Sequence, residues 1–202
     1  NGCSGLALLT IPNSVTNIGE YAFADCWSLI GVAIPVGVKS IENGVFSGCS
    51  GLTSVSIPDG VTRIGDYAFQ YCYNLTGIAI PISVDSIGDY AFADCWSLTT
   101  VTIPDGVTNI GNGVFFECSG LTRITIPNSV TGIGDNAFMG CWSLTGVTIP
   151  GSVTSIGSET FSECFDLTGV FFKGDAPGFG YSLFTGASGV SVYYLRGASG
   201  WN

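Results

Sequence analysis

Apolar residues return along this chain in two nested rhythms. The short rhythm is clearest between Cys95 and Glu117. Leu98, Val101 and Ile103 come first, in a stretch, LTTVTI, that alternates at its end and is rich in β-branched residues; it predicts a strand. Pro104 closes the strand, since proline cannot donate to a ladder. PDG then predicts a tight turn, and a small residue stands at the second position after each proline of this phase. VTNI predicts a second short extended segment carrying Val107 and Ile110, broken at Gly111. NGVFFEC reads as a single helical turn that places Phe115 inward.

The long rhythm has a step of 23 residues. Cys3, Cys26, Cys49, Cys72, Cys95, Cys118, Cys141 and Cys164 keep it without exception. Prolines keep it from Pro12 to Pro150, phenylalanines from Phe23 to Phe184 and leucines from Leu6 to Leu167. One unit reads C-x-x-L-x-x-V-x-I-P-x-x-V-x-x-I-G-x-x-A-F-x-x. Alone it holds too few apolar side chains to offset the entropy of ordering its backbone. Units must therefore stack and share faces, which makes a solenoid.

The residue after the unit's glycine is Glu20, Asn43, Asp66, Asp89, Asn112, Asp135 or Ser158, and Glu42 replaces the glycine itself in one unit. Asp, Asn and Ser there suit helix N-caps. A calcium-binding row of carboxylates is the other reading, weakened by the neutral residues that interrupt it.

The pattern LTSVSIPDGVTRIGDYAFQYC (Leu52–Cys72) and its copies resemble the BspA-like, Treponema-type leucine-rich repeat. The resemblance covers nearly the whole chain. It implies a β-rich repeat solenoid, a right-handed superhelix with short strands and a single helical turn per coil, and the L-x-x-V-x-I strand on its concave side. It also implies a bacterial or protozoan surface or secreted protein used in adhesion or protein recognition, with no catalytic residues to carry over. About seven units occupy residues 1–166, phased on Cys3 to Cys164. Residues 167–202 hold the last strand and a divergent capping coil, with Phe184 in register, Ala187 in the cysteine slot, Val190 in the leucine slot and Lys173 in the proline slot. The start at Asn1 falls mid-unit without a cap or signal peptide, so upstream sequence is expected.

Composition narrows the chemistry. Of 202 residues, 15 are acidic and 5 basic, and a net charge of −10 disfavours nucleic acid and anionic lipid as partners. Histidine is absent, which removes Ser–His and Cys–His nucleophile pairs and histidine metal ligands. No apolar run approaches the length of a membrane span, so membrane insertion is not expected. No cofactor is implied. The cysteines invite a disulfide framework, yet equivalent slots about 5 Å apart with parallel Cβ vectors suit neither a bridge nor tetrahedral zinc. A file of buried, reduced thiols is the preferred reading, with a few bridges or a metal as alternatives.

Two surfaces carry the binding expectations. The solvent-facing x positions of L-x-x-V-x-I form a small, neutral, threonine-rich face that includes Thr99, Thr100, Thr102, Thr122, Arg123, Thr125, Thr145 and Thr148. Threonine is also simply a good exposed strand residue; a protein or glycan partner, or an ice lattice, are the functional readings. The residue after each cysteine gives a broken aromatic row with Trp27, Tyr73, Trp96 and Trp142, suited either to a sugar or protein partner or to packing over the next coil. Units sharing YAFADCWSL (Tyr21–Leu29 and Tyr90–Leu98) suggest a three-unit super-repeat, and Asn74-Leu75-Thr76 is a lone glycosylation sequon. The expected function is a non-catalytic extracellular recognition or adhesion module; a self-assembling surface or filament protein stacking through solenoid ends is the alternative. An enzyme using carboxylates such as Asp94 and Glu117, which share one slot on successive coils, is the least favoured reading.

Overall fold

Val101 and Ile124 are buried or nearly so, lie one repeat apart and pair in parallel register, and that relationship generates the molecule. The computed structural model describes residues 2, 3 and 5–201. The expectation about what precedes Asn1, and the aromatic-row position at Ser4, lie outside them.

The coils contribute to two rows of parallel strands. The first row is the predicted L-x-x-V-x-I segment: β1 (Gly31–Ala33), β3 (Ser54–Ser56), β6 (Thr100–Thr102), β8 (Arg123–Thr125), β10 (Gly146–Ile149), β12 (Gly169–Phe172) and β14 (Ser191–Tyr194). The second row is the segment after the proline turn: β2 (Ser40–Ile41), β4 (Arg63–Ile64), β5 (Ser86–Ile87), β7 (Asn109–Ile110), β9 (Gly132–Ile133), β11 (Ser155–Ile156) and β13 (Gly178–Phe179). The pairing order is β1-β3, β6-β8 and β10-β12-β14 in one row, and β2-β4-β5 and β7-β9-β11-β13 in the other. Residues 77–79 interrupt the first row. The flanking rungs stretch there, to 3.4 Å from Thr76 N–H to Thr53 and 3.3 Å from Thr99 N–H to Thr76. Seven proline carbonyls, from Pro12 to Pro150, each accept the N–H of the valine three residues on, which closes the predicted turn between the rows.

Inside, each residue type stacks on its own kind. Phe46 to Phe161 are fully buried, and successive rings from Phe23 to Phe184 stack at 5.4–5.9 Å. Cys26 to Cys164 are buried and unbridged, while Cys3 is exposed. The thiols from Cys49 to Cys164 each donate to the carbonyl of the phenylalanine 26 residues earlier, as Cys118 does to Phe92 at 3.1 Å. The structure thus shows the cysteine file as unbridged throughout and buried from Cys26 onward.

The arc after the glycine is not a helical turn. Among the described residues there is no helix; the arc is a run of tight turns. The N–H groups of Tyr90, Phe92 and Asp94 all donate forward to the next coil, while Ala93 N–H turns back three residues to Tyr90. Two residues per arc take left-handed backbone, at the position after the Asp/Asn slot and at the position before the cysteine, for example Tyr90 (φ 55°) with Asp94 (φ 60°) and Gly113 (φ 57°) with Glu117 (φ 56°). Spending every second N–H on the neighbouring coil is what excludes a helix.

The expected N-caps are corrected for the same reason. Asn43 Oδ1 accepts Asp66 N–H at 2.9 Å, Asp66 accepts Asp89 N–H at 2.9 Å, and the chain of contacts continues through Asp89, Asn112 and Asp135 to Ser158. These side chains cap the next coil rather than their own segment. Asp66, Asp89 and Asp135 are therefore engaged with backbone donors along the solenoid.

Candidate functional site

The surface carries two concave places where predicted residues meet. The first lies on the face of the first strand row. Arg123, Thr125, Thr145, Thr148, Thr168 and Phe171 line a groove of about 390 Å³. Strand geometry sends alternate side chains outward, so Arg123 and Thr125 flank the half-buried Ile124. Gly146 keeps the floor low between Arg123 and Gly169 on the neighbouring coils. Phe171 is exposed and stacks on Tyr193 at 4.8 Å, which makes a flat apolar wall at one end.

Threonines immediately after the leucine slot, Thr145 excepted, behave differently from those further along the strand. The hydroxyls of Thr99, Thr122 and Thr168 donate to carbonyls of the preceding coil, Thr122 to Thr99 at 3.1 Å and Thr168 to Thr145 at 2.9 Å. They fasten the solenoid. Thr100, Thr102, Thr125 and Thr148 stand exposed on the open face.

The second place is a cleft of about 530 Å³ lined by Asp94, Trp96, Phe116, Glu117, Ser119 and Trp142. Trp96 and Trp142 are about half exposed, and Ser119 occupies their slot on the coil between them. Tyr73 stacks beneath Trp96 at 4.1 Å. Tyr73 therefore packs over the next coil, and Trp96 stays open on its other side. Burial pushes the Asp94 carboxyl above its ordinary value, partly offset by a hydrogen bond with the Trp96 side chain. Burial also raises Glu117, with repulsion from Asp94 and Glu163 adding to it. Neither carboxyl has a basic side chain among the causes of its shift.

No group of three or more Asp, Glu or Cys suited to a metal occurs among the described residues, and no described helix is long and apolar enough to cross a membrane.

The BspA type leucine-rich repeat region matches residues 1–96 and 85–195, in six copies. The chain belongs to this family. It is similar to a leucine-rich repeat protein from Bacteroides ovatus ATCC 8483, with 32% identity over 96% of this chain and 56% of that one, at a TM-score of 0.73. It is also similar to a leucine-rich repeat protein of T. pallidum, with 34% identity over 74% of this chain and 70% of that one, at a TM-score of 0.68. The chain thus spans little more than half the length of the B. ovatus protein. No curated protein matches it.

In this BspA-type array the predicted binding residues do not form one surface. Arg123, Thr125, Thr145 and Thr148 share the strand-face groove. Thr99, Thr100, Thr102 and Thr122 lie on the same face outside that groove, and all four are exposed. Trp96 and Trp142 belong to the acidic cleft instead, and Trp27 stands apart, 57% exposed, three units before Trp96. Sequence reasoning did not select Phe116 and Ser119. Ser119 was visible as the gap in the aromatic row; Phe116 follows the buried Phe115 and carried no periodic signal of its own.

Proposed function

We propose that this chain is a non-catalytic recognition or adhesion module of a bacterial surface or secreted protein, which binds a protein or glycan partner on the face of its first strand row. The supporting observation is the groove at Arg123, Thr125, Thr145, Thr148 and Phe171, which combines a cation, unengaged hydroxyls and an aromatic wall on rigid strands. Such a set is suited to a polar ligand with one apolar face. Surface location comes from the family resemblance.

The test uses a glycan array and light scattering coupled to size exclusion. Wild type, Arg123→Glu and Phe171→Ala are applied to the array. A binding profile that both substitutions abolish, from a species near 21 kDa at all concentrations, supports the reading. A profile indifferent to both overturns it. Growth into large species with concentration favours the self-assembling alternative.

A further inference from the structure

The geometry points to a second binding site: the cleft between Trp96 and Trp142 takes a basic side chain, arginine or lysine, of a polypeptide partner, sandwiched between the two indoles and facing Asp94 and Glu117. This rests on the reading of the chain as a recognition module, but not on the strand-face groove.

The width of the slot follows from the repeat. Trp96 and Trp142 are equivalent residues two coils apart, and coils repeat about every 4.8 Å, so the slot between them is about 10 Å across. A cation centred in it lies about 5 Å from each ring, inside the roughly 6 Å over which an aromatic face attracts a cation. Ser119 is what opens the slot; three other units place tryptophan at that position. Tyr73 covers one face of Trp96, which leaves the other face to the cleft.

Charge selects the occupant. Asp94 and Glu117 stand on successive coils in left-handed backbone, a conformation that glycine adopts freely at the same slot in Gly48, Gly140 and Gly186. Asp tolerates that region; Glu adopts it less readily. Gly140 leaves room for the Glu117 carboxyl: a Cβ there would lie 2.7–2.9 Å from its atoms. Asp94 repels the Glu117 carboxylate, in a chain already at −10. A guanidinium or ammonium relieves that repulsion and stacks on the indoles. A neutral sugar does only the second. The cleft volume of about 530 Å³ also exceeds one ammonium group several-fold and admits the flanking backbone of a peptide.

The molecule carries its own comparison. Trp27, Ser50 and Tyr73 repeat the spacing, with Asp25 in place of Asp94 but Gly48 in place of Glu117. That slot lacks the second carboxylate.

The experiment follows the indole N–H resonances of the four tryptophans by NMR during titration with acetyl-Gly-Arg-Gly-amide, its citrulline counterpart, tetramethylammonium and methyl glucoside. The arginine peptide is expected to shift Trp96 and Trp142 but not Trp27, and the citrulline peptide to bind at least about tenfold more weakly. Asp94→Asn with Glu117→Gln is expected to weaken the arginine peptide at least about tenfold. Ser119→Trp, which installs a residue the slot already accepts elsewhere, is expected to abolish the shifts in a folded protein. Arg123→Glu leaves them unchanged, which separates this site from the strand-face groove. Equal binding of the citrulline peptide, shifts unaffected by Ser119→Trp, or tighter binding of tetramethylammonium or methyl glucoside than of the peptide overturns the proposal.

Discussion

Asn43 Oδ1 accepts the backbone N–H of Asp66 at 2.9 Å, one coil further on, and Gly65 is the residue that lets them approach. A Cβ on Gly65 would stand 2.6 Å from Asn43 Oδ1 and 2.7 Å from its backbone nitrogen. The recurrent glycine of the repeat unit is therefore a demand of the coil beneath it, made by close approach rather than by an unusual φ. Where Glu42 replaces that glycine, the rung changes: Glu20 accepts from the Asn43 side chain at 3.1 Å.

Gly65→Ala is accordingly expected to destabilise the protein by about 1–3 kcal/mol, the usual range for forcing atoms into a filled space. Urea denaturation followed by circular dichroism measures this. Gly77→Ala, on the same solenoid with nothing within 4 Å of its added Cβ, serves as the control and is expected to be near neutral.

Asp89 holds two donors of one residue, Asn112 N–H at 2.8 Å and Asn112 Nδ2 at 3.2 Å. Asp89→Ala removes both acceptors and is expected to cost about 1–3 kcal/mol. Asp89→Asn keeps one carbonyl oxygen for the backbone donor and is expected to recover most of that loss. Equal losses in the two variants would mean that the charge, and not the acceptor, matters at this position.

The fold was legible because a strict step of 23 residues fixes which side chains meet: Val101 must find Ile124, and Phe92 must find Phe115. The arc was not, and the reason is physical. NGVFFEC has apolar spacing that fits one helical turn and fits equally a run of turns whose alternate N–H groups leave for the next coil. The signal that separates them was present but indirect. Gly113 and Tyr90 share one slot and Gly140 and Glu117 share another, and a slot that alternates glycine with larger residues marks left-handed backbone. The site divided for a related reason. Periodicity places Trp142 and Thr145 three residues apart on one coil but does not say that the chain turns between them, which puts one in the acidic cleft and the other on the strand face.

Phe115 sits between Phe92 and Phe138, at 5.7 and 5.6 Å, and is fully buried. Phe115→Ala opens a void in the middle of the stack and is expected to cost about 3–5 kcal/mol. Phe23 is only half-buried at one end of the same file, and Phe23→Ala is expected to cost less. The two denaturation midpoints, compared directly, test whether the stack is shared along the array.

Asp94 and Glu117 give a pH dependence of unusual sign. Their folded-state values are raised, so the ionised forms are disfavoured by folding. The destabilisation is complete above the raised values, relieved as pH falls through them, and gone below the ordinary 3.8 and 4.5. The double variant Asp94→Asn with Glu117→Gln is thus expected to have a higher Tm than wild type at about pH 7, with the gap closing toward about pH 4. A lower Tm at neutral pH would show that these carboxylates stabilise the coils they sit on. The expected gain in stability, set beside the expected loss of arginine-peptide binding, is the exchange that a binding site makes.

The thiols give the last test. Cys49 and Cys164 are pushed up to about 12 by burial, and Cys118 is raised further from the same cause. A thiolate is the reactive species, so these groups are inert at neutral pH on two grounds, access and ionisation. Cys3 is exposed, and Cys26, nearer the same end, is raised mainly by burial and carries a further repulsion from Cys3. A disulfide-exchange reagent at about pH 8 is expected to titrate Cys3 at once, Cys26 slowly, and the remaining six only after unfolding in urea, for a total of eight. Fewer than eight thiols in urea would mean that bridges exist. Prompt reaction of Cys95 or Cys118 in the native protein would mean that the centre of the solenoid opens between coils, and mass spectrometry of the labelled peptides identifies which coil does so.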